Sequence, residues 1–166
     1  MSKKIISMIM CAVMAMSAAA LTGCGNDSSA AESTAKSASA EKSVDISVVA
    51  DKLFNDIEYK DQLVELSEDK IEGVTGISKD KFKSAKVYRG SGATAEEIDC
   101  FEAVDEDSAK DIYSSLSDYV EKQKTRYADY APAEMDKLNN AVLVQNGKYV
   151  FLSISDDDAK AKEIIE

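Results

Sequence analysis

The residues best placed to meet another molecule flank one glycine-rich loop. Gly90-Ser91-Gly92-Ala93-Thr94 joins two segments of period-two alternation, and Arg89, Thr94 and Glu97 stand at its ends. Loops carried on strands are where rigid scaffolds present binding groups, so these three residues form a candidate binding edge. The loop has neither the GxxxxGK[ST] spacing that cradles nucleotide phosphates nor a GxGxxG opening a helix, and its glycines read as turn formers. Tyr127 and Tyr130, with Pro132 beyond them, add an aromatic corner to the same candidate edge. With seven Tyr and no Trp in the chain, tyrosine must supply any stacking platform, although packing at the core rim accounts for such residues equally well.

Much chemistry is excluded outright. The chain has no His, which removes Ser-His-Asp and Cys-His catalysis, His-ligated zinc and an imidazole pH switch. The runs Asp105-Glu106-Asp107 and Asp156-Asp157-Asp158 lack the spaced oxygen ligands and Gly of a calcium loop and read as helix caps. Cys100 lies between Asp99 and Phe101 in a predicted strand, where a thiol without an activating base is an inert apolar group. The residues therefore call for no cofactor, no metal and no catalytic role. An enzyme working through paired carboxylates or a Ser/Lys dyad stays open as the alternative, since 31 acids and 20 Lys and Arg offer many pairs. The net charge of −11 repels phosphate and so argues against nucleic acid and anionic lipid surfaces as partners.

Cys24 is the exception to this chemical quiet. Residues 1–23 read as Met-Ser-Lys-Lys, an apolar run from Ile5 to Ala20, then Leu21-Thr22-Gly23, the layout of a secretory signal. The run is shorter than the roughly 20 residues of a membrane span. The ending Leu21-Thr22-Gly23-Cys24 resembles the lipobox of bacterial lipoproteins, in which the thiol receives a diacylglyceryl group and becomes the first mature residue. Two acyl chains anchor stably where one binds only marginally. The competing reading is an ordinary secretory signal followed by a spare thiol. Loss of Lys3 and Lys4 with the leader takes the charge from −11 to −13, and only Cys24 and Cys100 remain, so no internal disulfide is expected.

The elements that must position the loop follow from periodicity. Residues 24–45 are the acylated Cys and a Ser/Ala-rich linker, whose twenty flexible residues reach about 25 Å. The domain spans 46–166. Ile46, Val49, Ala50, Leu53, Phe54 and Ile57 mark a helix over 46–58 with Asp45 as its cap. Residues 84–104 read as a long-looped hairpin. A helix over 106–128 buries Ala109, Ile112, Tyr113, Leu116, Tyr119, Val120 and Tyr127. A short helical turn follows Pro132, and residues 141–154 form a hairpin on a two-residue Asn146-Gly147 turn. A C-terminal helix then closes the chain. The expected fold is α+β: an N-terminal helix, then ββα-ββα, with a four-stranded antiparallel sheet packed on helices on one face.

Several blocks carry a family resemblance. Asp61-Gln-Leu-Val-Glu-Leu, Gly92-Ala-Thr-Ala-Glu-Glu-Ile, Gln123 through Tyr127-Ala-Asp-Tyr130-Ala-Pro132-Ala-Glu134, Asn140-Ala-Val and Asn146-Gly-Lys-Tyr-Val resemble the DUF4358 family over about 46–166. The resemblance implies an uncharacterised lipoprotein of clostridia and their Gram-positive relatives, on the outer face of a single membrane. It carries over no catalytic or cofactor residue. The expectation is an extracytoplasmic, membrane-anchored, non-catalytic binding or accessory module of the cell envelope. Its partners would be the membrane, through diacylglyceryl-Cys24, and an envelope protein or small ligand; the residues single out no oligomeric state.

Overall fold

The computed structural model describes residues 43–166; the leader 1–23, Cys24 and the linker up to residue 42 lie outside the described residues. Helix α1, Ile46–Asp56, starts at Asp45, whose Oδ1 accepts the Ser47 N–H at 2.9 Å. A short strand β1, Val64–Glu65, precedes α2, Glu68–Thr75, which ends on Gly76 in the left-handed region at φ 73°. Strands β2, Phe82–Arg89, and β3, Glu97–Ala103, form the first hairpin. Helix α3, Glu106–Tyr130, follows, with Asp105 accepting the Ser108 N–H at 2.7 Å. A turn of 3-10 helix at Pro132–Glu134 leads into α4, Met135–Asn139. Strands β4, Val142–Asn146, and β5, Tyr149–Ile154, and helix α5, Asp158–Ile165, complete the chain, Asp157 capping α5 through the Lys160 N–H.

The α+β class and the antiparallel sheet stand, but two features of the expected architecture do not. Among the described residues the sheet has five strands, in the order β1-β2-β3-β5-β4, because Val64 and Glu65 pair with Arg89 and Tyr88 at the end of β2. Two residues carry no readable period, so nothing in the sequence marks that strand. Helices also cover both faces of the sheet instead of one. On β3, Ile98 and Cys100 join a core with Ala50 and Leu53 of α1 and Ala161 of α5, while Phe101 and Ala103 join another with Ile112 and Leu116 of α3. The polar positions of the alternation, Glu97 and Asp99, suggested a face in water, but they are buried beneath α3 with Arg89 as their cation.

Smaller shifts have local causes. The two-residue loop of the second hairpin is Gly147-Lys148, since Asn146 pairs with Tyr149, and Gly147 takes φ 54°. The buried β5 side chains set that register, and a slip of one would turn them all outward. Helix α1 stops two residues short of the expected end, and α3 runs two residues past it. Tyr113 is 37% exposed, one residue and about 100° round the helix from the buried Ile112.

Because α1 alone covers much of the second face, its seating is testable. Leu53→Ala removes a fully buried side chain and should cost about 2–5 kcal/mol in urea unfolding. A cost under about 1 kcal/mol would mean that α1 is not packed as described.

Candidate functional site

The β2–β3 register creates the site. Arg89 lies directly across from Glu97, and Asp99 is two residues further along β3 opposite Val87, so all three side chains share the α3 face of the sheet. The Arg89 guanidinium grips Asp99 with both terminal nitrogens, Nη2 to Oδ2 at 3.0 Å, and its Nε stands 3.3 Å from Glu97 Oε2. The same Oε2 accepts the Tyr119 hydroxyl at 2.9 Å, and Gln123 Nε2 donates to that hydroxyl. The Arg89 guanidinium lies 5.4 Å over the Tyr119 ring.

Helix α3 roofs these groups because Tyr119, Gln123, Arg126 and Tyr127 recur at helical spacing on one stripe. Tyr127 is buried, and its hydroxyl ties down the loop through the carbonyl oxygens of Thr94 and of Gly92, the latter at 3.1 Å. Asp61 holds the other side of the loop, accepting the Ser91 N–H and hydroxyl, each at 2.7 Å. A Cβ on Gly90 would sit 2.5 Å from Asp61 Oδ2, so any larger residue there would push that carboxylate off Ser91.

Beneath the loop lies a second buried cluster. Lys137 bonds Glu96 at 2.8 Å and Glu134 at 2.9 Å, and Glu134 accepts the Ala95 N–H. Glu96 also accepts the N–H groups of Lys60 and Asp61 and the Thr94 hydroxyl. Burial opposes the Lys137 charge, but Glu96 and Glu134 outweigh it and hold its pKa above the usual value. Burial likewise opposes the Glu96 charge, and Lys137 with the two backbone amides holds its carboxyl below the usual range.

Between loop and helix is a cleft of about 410 Å³, lined by the loop, Arg89, Glu97, Tyr119, Gln123, Arg126 and Tyr127, with Leu66 and Val74 at one side. The structure therefore brings Arg89, Thr94, Glu97 and Tyr127 to one place. Arg89 and Glu97, with side chains 12% and 4% exposed, are its floor and not an exposed edge. Tyr130, 66% exposed, stands outside the lining with its ring 6.2 Å from that of Tyr127. Asp99, Gln123, Arg126 and the Lys137 cluster went unforeseen. Two acids spaced i, i+2 at the start of a strand, opposite an Arg across the loop, were the available signal, because buried carboxylates demand a cation nearby. Cys100 is fully buried, and burial pushes its thiol well above the usual value. Among the described residues no group of three His, Cys, Asp or Glu could hold a metal.

Charge balance decides protonation at the floor. Arg89 spends its fork on Asp99, and although burial opposes its charge the two acids hold its pKa raised. Glu97 is left sealed beside a neutralised pair. Burial pushes its carboxyl up to about 8, against the pull of Arg89 and with the push of Asp99. Burial and Glu97 together raise Tyr119, so the phenol stays a donor. The folded state thus keeps on Glu97 a proton that the unfolded chain loses near its ordinary value of 4.5. Stability from this group is full below that value and is lost as pH rises toward 8, at no more than about 1.4 kcal/mol per pH unit. No His titrates in that window, and the other carboxyls with shifts, such as Asp61 and Asp156, are lowered. Chemical denaturation from pH 5 to 8.5 should show the decline, and Glu97→Gln should flatten it; an unchanged slope in the variant would assign the decline elsewhere.

Comparison with known proteins places the cleft inside a recognised unit. The sequence model of DUF4358, a domain of unknown function, matches residues 55–155, and the chain belongs to that family. No curated protein and no solved structure matches it.

Proposed function

We propose that this DUF4358 domain is a non-catalytic binding module, anchored through diacylglyceryl-Cys24 at the extracytoplasmic face of the cell membrane. Its small ligand or envelope-protein partner engages the cleft beside the Gly90–Thr94 loop. The observation that carries the binding reading is a cleft whose polar floor is held in place by its own side chains: Arg89, Asp99, Glu97 and Tyr119 are bonded to one another. A site built in advance orients a guest at little reorganisation cost. The lipobox-like ending at Cys24 supports the anchor. No helix among the described residues is long and apolar enough to cross a membrane, so attachment would rest on the acylated thiol.

The alternative, a His-free enzyme, would have to use Glu97. Its neighbour Asp99 is wholly buried and spent on Arg89, and Glu96 is taken up by Lys137 and backbone amides. The cleft lining offers one serine, Ser91, bonded to Asp61, and no lysine. A carboxylate pair or Ser/Lys dyad open to a substrate would need a different arrangement, and binding is the better-supported reading.

Two experiments test the two halves of the proposal. Growth with an alkyne-bearing fatty acid should label the wild-type protein and leave Cys24→Ala unlabelled; an unlabelled wild type with a free Cys24 thiol overturns the anchor. Photo-cross-linking in intact cells, with p-benzoylphenylalanine in place of Tyr130 beside the cleft, should give an adduct of defined mass. The same group in place of Phe54, on α1 across the sheet, should not, and identical products from both positions would overturn the cleft as the docking face.

A further inference from the structure

The chain contains two arginines, Arg89 and Arg126, and both line this cleft, whereas its other basic residues are lysines and no described lysine lines it. Arginine offers a rigid planar fork that meets a carboxylate at two points, which an ammonium cannot do. The fork of Arg89 is consumed by Asp99, and its Nε stands 3.3 Å from Glu97. Arg126 differs in every respect. It is exposed, lies 5.7 Å over the Tyr127 ring, and forms no ion pair with a described acid, in a chain whose acids outnumber its bases by 31 to 20. Its Nη2 lies 4.0 Å from where a Gly92 Cβ would be, so the guanidinium overhangs the loop at the cleft mouth.

Glu97 Oε2 takes the Tyr119 hydroxyl and faces Arg89 Nε, while Oε1 is buried without a partner. Leu66, Val74 and Ala95 supply apolar wall. From Tyr119 to Arg126 is seven residues of helix, about 10 Å along the axis.

We infer that the cleft takes a small monocarboxylate with an uncharged body about 10 Å long: the carboxylate meets the Arg126 guanidinium at two points, and the body runs along Tyr127 toward Gln123 and Glu97. With Arg89 paired to Asp99 and no described lysine in the lining, Arg126 meets the single charge of a carboxylate, whereas a phosphate dianion would bring a second charge that no lining cation faces. This inference rests on the binding reading above and names its ligand class.

The test is titration of the ¹⁵N-labelled full chain with acetate, benzoate and hippurate, with benzamide as the neutral control and inorganic phosphate as the competing anion. Hippurate should bind most tightly and shift the Arg126 side-chain N–H and the Gly92 to Ala95 amides, while benzamide leaves them in place. Arg126→Gln, at an exposed position, should keep the wild-type unfolding midpoint and bind hippurate about tenfold or more weakly. Undiminished binding by that variant overturns the assignment of Arg126, and phosphate binding more tightly than any carboxylate overturns the ligand class. No shift with any carboxylate at about 10 mM also overturns the inference. In that case a specific adduct at position 130 leaves the binding reading standing, and loss of that adduct removes both.

Discussion

One guanidinium between the sheet and α3 organises this domain. Arg89 is buried with two carboxyls, Asp99 and Glu97, on the strand beside it. Removing one member of such a pair leaves an uncompensated charge in a low dielectric, at a cost of about 3–5 kcal/mol. The bidentate bond to Asp99 settles the charge account of the site, and the other features of the floor follow from it. Glu97 shares that guanidinium only through Nε, and burial outweighs the attraction and raises its carboxyl. Tyr119 is drawn onto Glu97 and carries Gln123 with it, so that α3 sits where its polar stripe meets the polar end of β2 and β3.

The two faces of the sheet divide the work. The face under α1 and α5 is apolar apart from its edges, with Leu53, Ile98, Cys100 and Phe151 in one cluster. The α3 face is apolar through Phe101, Ile112, Leu116 and Val150 but turns polar toward the β2–β3 loop. There the loop is clamped from three directions, by Asp61, by Tyr127 and by the buried Lys137 cluster through Glu96 and Glu134. A glycine loop that could move freely on sequence grounds is thereby built as a fixed wall. The buried lysine serves this purpose because it joins α4 to the far end of the loop, where an apolar residue would leave two carboxylates without a cation.

This division explains which parts of the molecule were readable in advance. Helices α1 and α3 announced themselves through apolar stripes several turns long, and Asp45 and Asp105 capped them as their positions suggested. The two hairpins were visible from alternation and glycine, although the turn of the second lies one residue later because the buried face of β5 sets the register. The strand Val64–Glu65 was too short to carry a period. The alternation Glu97-Ile98-Asp99-Cys100 reads as a strand with one face in water, but Glu97 and Asp99 are buried with Arg89 under α3, so the pattern concealed the second layer of helices.

The sequence by itself determined the chemistry that is absent, the candidate lipid attachment at Cys24, the acidic balance and the local elements, since these depend on residue type and near-neighbour spacing. It also grouped Arg89, Thr94, Glu97, Tyr127 and Tyr130 in prospect, of which the cleft lining gathers all but Tyr130. Only the tertiary structure decided that Arg89 and Glu97 form the floor, that Asp99 takes the guanidinium, and that Arg126 lines the cleft over Tyr127 without an ion pair to a described acid. The reason is range. Capping and periodicity act over three or four residues, whereas Lys137 meets Glu96 across 41 positions and Tyr127 meets Gly92 across 35. Pairings of that kind are set by the register of the sheet and the seat of α3 upon it, and no short stretch of chain records them.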